Sequence, residues 1–226
     1  MPILHVLKVF VGESGAGGNP LGVFLDGGEV PKEERQRVAA DLGFSETVFV
    51  DDPERGELRI FTPAAELPFA GHPLVGTAWL LEREGFEAPV LRPPAGVVPV
   101  RFEDNLTFIS GRPEWAPVYE HIELSSPAEV ETLEGPPSGH DSAGVWAWED
   151  RGAGRIRARV FPVSIGIEED EATGAHAVRL TALLGRRISI RQGRGSLILA
   201  EPRPDGSVEI GGHVESVEVR EYEGGP

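Results

Sequence analysis

The chain contains no cysteine among its 226 residues. That excludes disulfides, thiolate metal sites and every mechanism needing a thiol nucleophile or a thiol base. Lysine is nearly as scarce, 2 of the 21 basic residues, and methionine occurs once. Asparagine and glutamine occur twice each. Positive charge is in deficit overall, with 21 basic residues against 37 acidic ones and a formal net charge of −16. Gripping a phosphate backbone requires a basic stripe that displaces counterions, so no nucleic-acid partner is expected. The densest basic segment, GRRISIRQGRG at 185–195, reads as the solvated face of one strand. No run approaches the roughly 20 apolar residues of a membrane span. The opening MPILHVLKVFVGESG has neither a basic n-region nor a small-residue cleavage site. No membrane partner is expected, and the expected compartment is the cytoplasm.

Familiar cofactor motifs are missing too. The six histidines never occur at HxxxH or HExxH spacing, so no metal site is expected. GAGGNP at 15–20 is not GxGxxG, because Pro20 fills the last glycine position. Gly18, Asn19 and Pro20 read as a turn between LKVFVG and LGVFLDG. Neither a GxSxG elbow nor a GxxxxGK[ST] loop exists.

What the sequence does have is a globular composition, 40% apolar and 26% charged, and an internal repeat. RIFTP at 59–63 is echoed by RVFPV at 159–163. Each leads through a turn into an apolar helical stretch, GHPLVGTAWLLEREG and TGAHAVRLTALLG, that stops at Gly85 or Gly185. Upstream, PKEERQRVAADLG predicts an amphipathic helix with Pro31 early, followed by the alternating strand SETVFV. Its counterpart, SSPAEVETLEG, carries a capping box with Ser126 as N-cap, Pro127 at N1 and Glu129 at N3, before the strand AGVWAW. The expected fold is α+β: two pseudo-symmetric halves, 1–112 and 113–226, each with a sheet wrapped around a buried central helix. A cleft between such halves is the expected place for a ligand.

Three features could carry chemistry. The first amides of a helix lack internal partners and sit at the positive end of its dipole, so they suit anions. In FAGHPLVG, Pro73 fits N1, His72 lies near the N-cap, and Gly71 lets a ligand approach the backbone. In EEDEATGAHAV, Thr173 and Gly174 are placed similarly, with Asp170 just before. Spacing alone is equally compatible with two ordinary helix starts. The third feature is Glu46, set in the polar cluster Ser45-Glu46-Thr47 at the start of a buried strand. A carboxylate withdrawn from water has a raised pKa, which a general acid/base near neutral pH requires; an ordinary rim carboxylate would have the same sequence context. The second half has no glutamate at the matching place. Trp115, Trp146 and Trp148 read as core, His176 as a helix residue and His213 as a strand or turn residue.

Four segments, GNPLGVFLDG, FSETVFV, RIFTPAAELPFAGHPLVGTA and RVFPVSIGIEEDEATGA, occur in this order. Together they resemble the PhzF-type phenazine-biosynthesis isomerase family, whose pattern RxFTPxxELPFAGHPTxGTA is matched closely. The resemblance implies a diaminopimelate epimerase-like fold and isomerisation of a dihydro-hydroxyanthranilate without a cofactor, one glutamate moving a proton between ring carbons. It makes Glu46 the acid/base and gives His72 and Asp170 substrate-orienting roles. The Gly71–His72 and Thr173–Gly174 amides become carboxylate-binding groups, Ser45 is expected to bind substrate, and a homodimer is the expected assembly. Ala175 departs from a frequent serine, Leu74 from a threonine and Glu171 from a proline, which bears on the substrate more than on the chemistry. Related two-base epimerases use a thiol at each helix start; His72 and Ala175 stand there instead. One-base transfer on a small carboxylated, cyclic metabolite is therefore the expected function. The alternatives are a lyase or dehydratase, an epimerase-like enzyme acting on an amino-acid-like substrate, and a non-catalytic small-molecule binding or interaction protein.

Overall fold

The computed structural model describes residues 1–224. Its first half runs β1 (Ile3–Val11), β2 (Gly17–Phe24), α1 (Arg35–Leu42), β3 (Glu46–Asp52), β4 (Glu57–Phe61), β5 (Glu66–Leu67) and α2 (Gly71–Arg83). Three strands follow, β6 (Val90–Leu91), β7 (Val98–Glu103) and β8 (Leu106–Gly111). The second half runs β9 (Glu120–Glu123), α3 (Pro127–Glu131), β10 (Ala143–Asp150), β11 (Arg155–Phe161) and α4 (Gly174–Leu184). It ends with β12 (Ile188–Gln192), β13 (Ser196–Pro202) and β14 (Val208–Glu221).

The repeat is a repeat of pairing as well as of sequence. β2 pairs parallel to β3 across α1, and β9 pairs parallel to β10 across α3. β3–β4 and β10–β11 are antiparallel ribbons, each leading to a central helix. The strands after α2, β6–β7–β8, and those after α4, β12–β13–β14, are antiparallel meanders. β14 joins the halves. Its first residues pair with β13 and β8, and from His213 to Glu221 it pairs with β1. The last strand of the chain thus completes the sheet begun by the first.

Burial explains why the two central helices are apolar on nearly every side. In α2, Leu74, Val75, Leu80 and Leu81 are all essentially inaccessible, as are Val178 and Leu180 in α4. Each such side chain contributes about 1.5–3 kcal/mol relative to leaving it exposed. Gly185 ends α4 in the left-handed conformation expected of a C-terminal glycine. The strand Glu46–Asp52 is buried, as expected, but on both faces instead of on alternate residues. Val48, Phe49 and Val50 are all buried, because Val48 and Val50 pack in the core that holds α2 while Phe49 packs with Phe24, Val38 and Ala39 beneath α1. Arg35 is also buried there, donating to the Val30 and Gly27 carbonyls and pairing with Asp51 at 2.6 Å.

Three local expectations are corrected. Gly18, Asn19 and Pro20 do not form a turn: they lie inside β2, with Asn19 opposite Val9 and Pro20 opposite Lys8. The chain reverses earlier, at Gly12–Ala16, where Ser14 and Gly15 take positive φ. A proline is tolerated in β2 because pairing with β3 begins only at Leu21. Helix α1 starts at Arg35, four residues beyond Pro31. Helix α2 starts two residues earlier than the proline suggests: Ala70 is the N-cap, Gly71 is N1, His72 is N2 and Pro73 is N3. Proline fits there because no first-turn N–H has an intrahelical partner to lose. His72 is therefore inside the helix and does not cap it. The Ser126 cap holds, its hydroxyl accepting from the Glu129 amide at 3.3 Å, on a helix of only five residues.

Candidate active site

The N-termini of α2 and α4 meet head to head. A Cβ on Gly71 would lie 2.7 Å from the Gly174 Cα, and one on Gly174 would lie 2.8 Å from the Gly71 Cα. Glycine is thus required at both positions by the approach of two backbones, not by an unusual φ. Beside this junction is a small, partly open cavity of about 40 Å³. Glu46 from β3, His72 from α2, Asp170 and Thr173 from the segment before α4, and Tyr119 from before β9 all line it. Phe69, Pro117, Pro162 and Ile167 supply apolar walls. Gly71, His72, Gly174 and Ala175, the first residues of α2 and α4, also line it, so the positive ends of two helix dipoles converge on one small space. A cavity that small holds a water or two. A ring-sized ligand requires the walls to part.

Glu46 is nearly inaccessible, and burial is the main reason its carboxyl is pushed up to about 8, with the nearby Asp170 charge adding to the effect. Its Oε2 lies 3.4 Å from His72 Nε2. Burial acts in the opposite sense on His72, lowering it to about 3 and keeping the imidazole neutral. The pair therefore stands at neutral pH as a largely protonated acid beside a neutral base. Transfer of the proton to His72 would create an ion pair, which burial disfavours at both partners.

Both carboxylate oxygens of Asp170 accept hydrogen bonds. Asn19 Nδ2 donates to its Oδ1 at 2.8 Å and Thr173 Oγ1 to its Oδ2 at 2.6 Å. Burial raises its carboxyl, and these two hydrogen bonds oppose the rise. Gln192 Nε2 donates to Thr173 Oγ1 at 2.9 Å and to the Asp170 carbonyl at 2.8 Å, while its Oε1 accepts from the Thr173 amide at 3.2 Å. The loop before α4 is thereby fixed to β12.

Glu46, Gly71, His72, Asp170, Thr173 and Gly174, expected from separate parts of the sequence, converge on the cavity. Ser45 lies one layer behind, donating to Asn19 Oδ1 at 3.1 Å, and the Thr173 amide is already engaged by Gln192. Asn19, Tyr119 and Gln192 are site residues that the sequence reading missed. Asn19 was read as a turn, and Gln192 lies within a segment read as a solvated basic face. Scarcity was a usable signal: one of only two asparagines and one of only two glutamines are buried here. Among the described residues, no three histidine or acidic side chains cluster so as to hold a metal ion, and no helix is long and apolar enough to cross a membrane.

Residues 7–135 match the model of a family described as phenazine biosynthesis-like protein, PhzC-PhzF. A trans-2,3-dihydro-3-hydroxyanthranilate isomerase of Pseudomonas aeruginosa is 32% identical, over 86% of this chain and 82% of that protein. Among solved structures, a PhzC/PhzF phenazine biosynthesis protein from Clostridium difficile superposes with a TM-score of 0.79 at 20% identity, over 99% of this chain and 100% of the other. A hydroxyproline epimerase from Agrobacterium vitis gives 0.64 at 12% identity, over 97% and 91%. The two superpositions establish the fold: the α+β architecture of PhzF proteins, which the proline and diaminopimelate epimerase-like enzymes share.

Proposed function

The chain belongs to the phenazine biosynthesis-like, PhzC-PhzF, family, and on that premise we propose that it is an isomerase working by one-base proton transfer on a small carboxylated, cyclic metabolite. The observation that carries this reading is Glu46: a buried carboxyl pushed up to about 8, facing a cavity at the junction of two helix N-termini. The substrate carboxylate sits against the amides at the starts of α2 and α4. Those amides also stabilise negative charge that develops when an adjacent carbon loses its proton. The minor ionised form of Glu46 takes a proton from one carbon, and the electron pair of the broken C–H bond moves into the neighbouring unsaturation. The resulting Glu46–COOH returns the proton to a second carbon. Atoms and charge balance, nothing is oxidised or reduced, and the step needs no cofactor. Asp170 is the weaker candidate for the base, because both of its oxygens already accept hydrogen bonds. Its role is to orient the substrate, as is that of His72.

The test uses trans-2,3-dihydro-3-hydroxyanthranilate, the compound in the relative's name, incubated with enzyme in D2O and followed by NMR and mass spectrometry. The expected product has the substrate's composition, with deuterium incorporated at the carbon that gains a hydrogen. Glu46→Gln lacks this conversion while retaining ligand binding. Loss of water from the substrate would instead identify a lyase, and equal conversion by Glu46→Gln would remove Glu46 from its role.

A further inference from the structure

Asp170 is held in place from the other half of the molecule. Its Oδ1 accepts from Asn19 Nδ2 of β2 at 2.8 Å. The same nitrogen lies 3.0 Å from the Ala172 carbonyl and 3.4 Å from His72 Nδ1. Glu171, between Asp170 and Ala172, turns its carboxylate toward the start of β13. Its Oε1 accepts from the Arg194 amide and from Ser196 Oγ, both at 2.8 Å. Arg194 Nε lies 3.2 Å from Oε2, but that side chain is 84% exposed and adds little.

Ser196 is fully buried, and its hydroxyl has one hydrogen. That hydrogen goes to Glu171, which leaves the oxygen to accept from the Gly18 amide at 2.8 Å. β2 pairs with β3 only from Leu21 onward, so β3 does not take the Gly18 N–H. Gly18 and Asn19, consecutive in β2, are thus tied to three consecutive residues before α4, one link running through Ser196 and one direct. The space around the carboxylate is fitted to it. A Cβ on Gly17 would lie 2.4 Å from the Ser196 amide nitrogen and 2.9 Å from Glu171 Oε1. One on Gly193 would lie 2.5 Å from Glu171 Cδ, and both glycines take positive φ. A proline at 171 would have no oxygen to offer.

We infer that Glu171 is a positioning residue: through Ser196 it ties the loop that carries Asp170 to Gly18 and Asn19 of the first half, and so sets where Asp170 stands over the cavity. This rests on the reading of Asp170 as a substrate-orienting group. Losing the Glu171 oxygen frees both the Ser196 hydroxyl and the Arg194 amide. Among the described residues, the Asn19 side chain is then the polar link that remains from β2 to this loop. The charge of Glu171 also opposes ionisation of Asp170. A variant that keeps the oxygen and drops the charge separates the two effects.

Glu171→Gln, Glu171→Ala and Ser196→Ala are compared in two assays, the first of which needs no substrate. The chain has two asparagines, so asparagine-selective ¹⁵N labelling shows two side-chain amides by NMR, and Asn105→Asp identifies that of Asn19 by elimination. Each alanine variant should speed hydrogen exchange of the Asn19 amide about tenfold, the equilibrium worth of one lost hydrogen bond. Glu171→Gln should leave it near wild type. The second assay is turnover of trans-2,3-dihydro-3-hydroxyanthranilate well below the melting temperature. In both alanine variants kcat should fall about tenfold with KM little changed. It should stay near wild type in Glu171→Gln, and fall no further when the two alanine substitutions are combined. Wild-type Asn19 exchange in the alanine variants, a strictly additive double variant, or a Glu171→Gln as impaired as Glu171→Ala would overturn the inference. An inactive wild type would count against the isomerase reading alone, because the exchange measurement still tests the link. If Glu171→Ala does not fold, Ser196→Ala decides.

Discussion

Replacing Glu46 by glutamine should produce an enzyme that is inactive yet more stable. The amide is close in shape to the protonated acid but cannot ionise. In the folded protein burial pushes the carboxyl up to about 8, against an ordinary value of 4.5. A group whose folded pKa is raised contributes fully below its unfolded pKa, and that contribution is lost as pH rises through the folded value. Below pH 4.5 Glu46 is protonated in both states, so wild type and Glu46→Gln should melt alike. Between 4.5 and 8 the unfolded chain gives up the proton while the folded chain keeps it, at about 1.4 kcal/mol per pH unit. The wild type thus falls behind the variant by about 3 kcal/mol at pH 7 and by about 5 kcal/mol above pH 8. For a chain of this length each kcal/mol moves Tm by roughly 2–4 °C. The variant should therefore melt several degrees higher at neutral pH. Histidines that do not contact Glu46 contribute equally to both proteins and cancel in the difference.

The assay is a pair of calorimetric melting series from pH 4 to 9, with turnover measured alongside. Turnover should fall about 10²–10⁴-fold, the range expected for losing an acid/base group. The two readouts separate a catalytic from a structural carboxyl, since removing one that supports the fold lowers stability. Parallel melting curves across the whole pH range would refute the placement of Glu46 in a dry site, and with it the physical basis of its assignment as acid/base.

Further perturbations test the packing around the site. Gly71→Ala places a methyl 2.7 Å from the Gly174 Cα and 2.7 Å from Ile210 Cδ1; an overpacking cost of about 1–3 kcal/mol is expected, read as a lower Tm with the fold retained by circular dichroism. Gly144→Ala is expected to cost a similar amount, because its methyl would lie 1.9 Å from His176 Nε2. Adding His176→Ala should recover part of the loss, so a strictly additive double mutant would contradict the contact. His176 is held down to about 3 by burial, so the unfolded chain takes its proton first as pH falls from 6.5 toward 3 and stability is lost in that window; His176→Ala should flatten the acid limb of the stability curve. Arg35→Met removes a buried guanidinium from Asp51 and from the Gly27 and Val30 carbonyls. A loss of about 3–5 kcal/mol in denaturant unfolding is expected, the cost of breaking a buried pair from one side.

Much of this molecule was legible before any coordinates. The absence of cysteine restricted the chemistry of the helix starts, and the repeat of RIFTP in RVFPV located two equivalent ribbons feeding two equivalent helices. Those are local properties of composition, period and motif. The errors also have a local cause. Pro20 and Pro73 carry strong turn and helix-start signals, yet neither does what its signal says: Pro20 lies in a strand, and Pro73 sits at the third helical position because Ala70 caps α2.

What only the tertiary structure decided is how distant pieces neutralise or expose one another. Sequence could mark Glu46 as a candidate, but its shifted pKa exists only because β3 is buried on both faces and Asp170, from the other half, lies near. Gly71 and Gly174 look like ordinary helix-start glycines until two backbones are found in contact there. Asn19 has no meaning in its own segment, because its partners come from positions 45, 72, 170 and 172. Propensity and periodicity act over a few residues along the chain, whereas desolvation, steric exclusion and the sharing of hydrogens depend on distances through space.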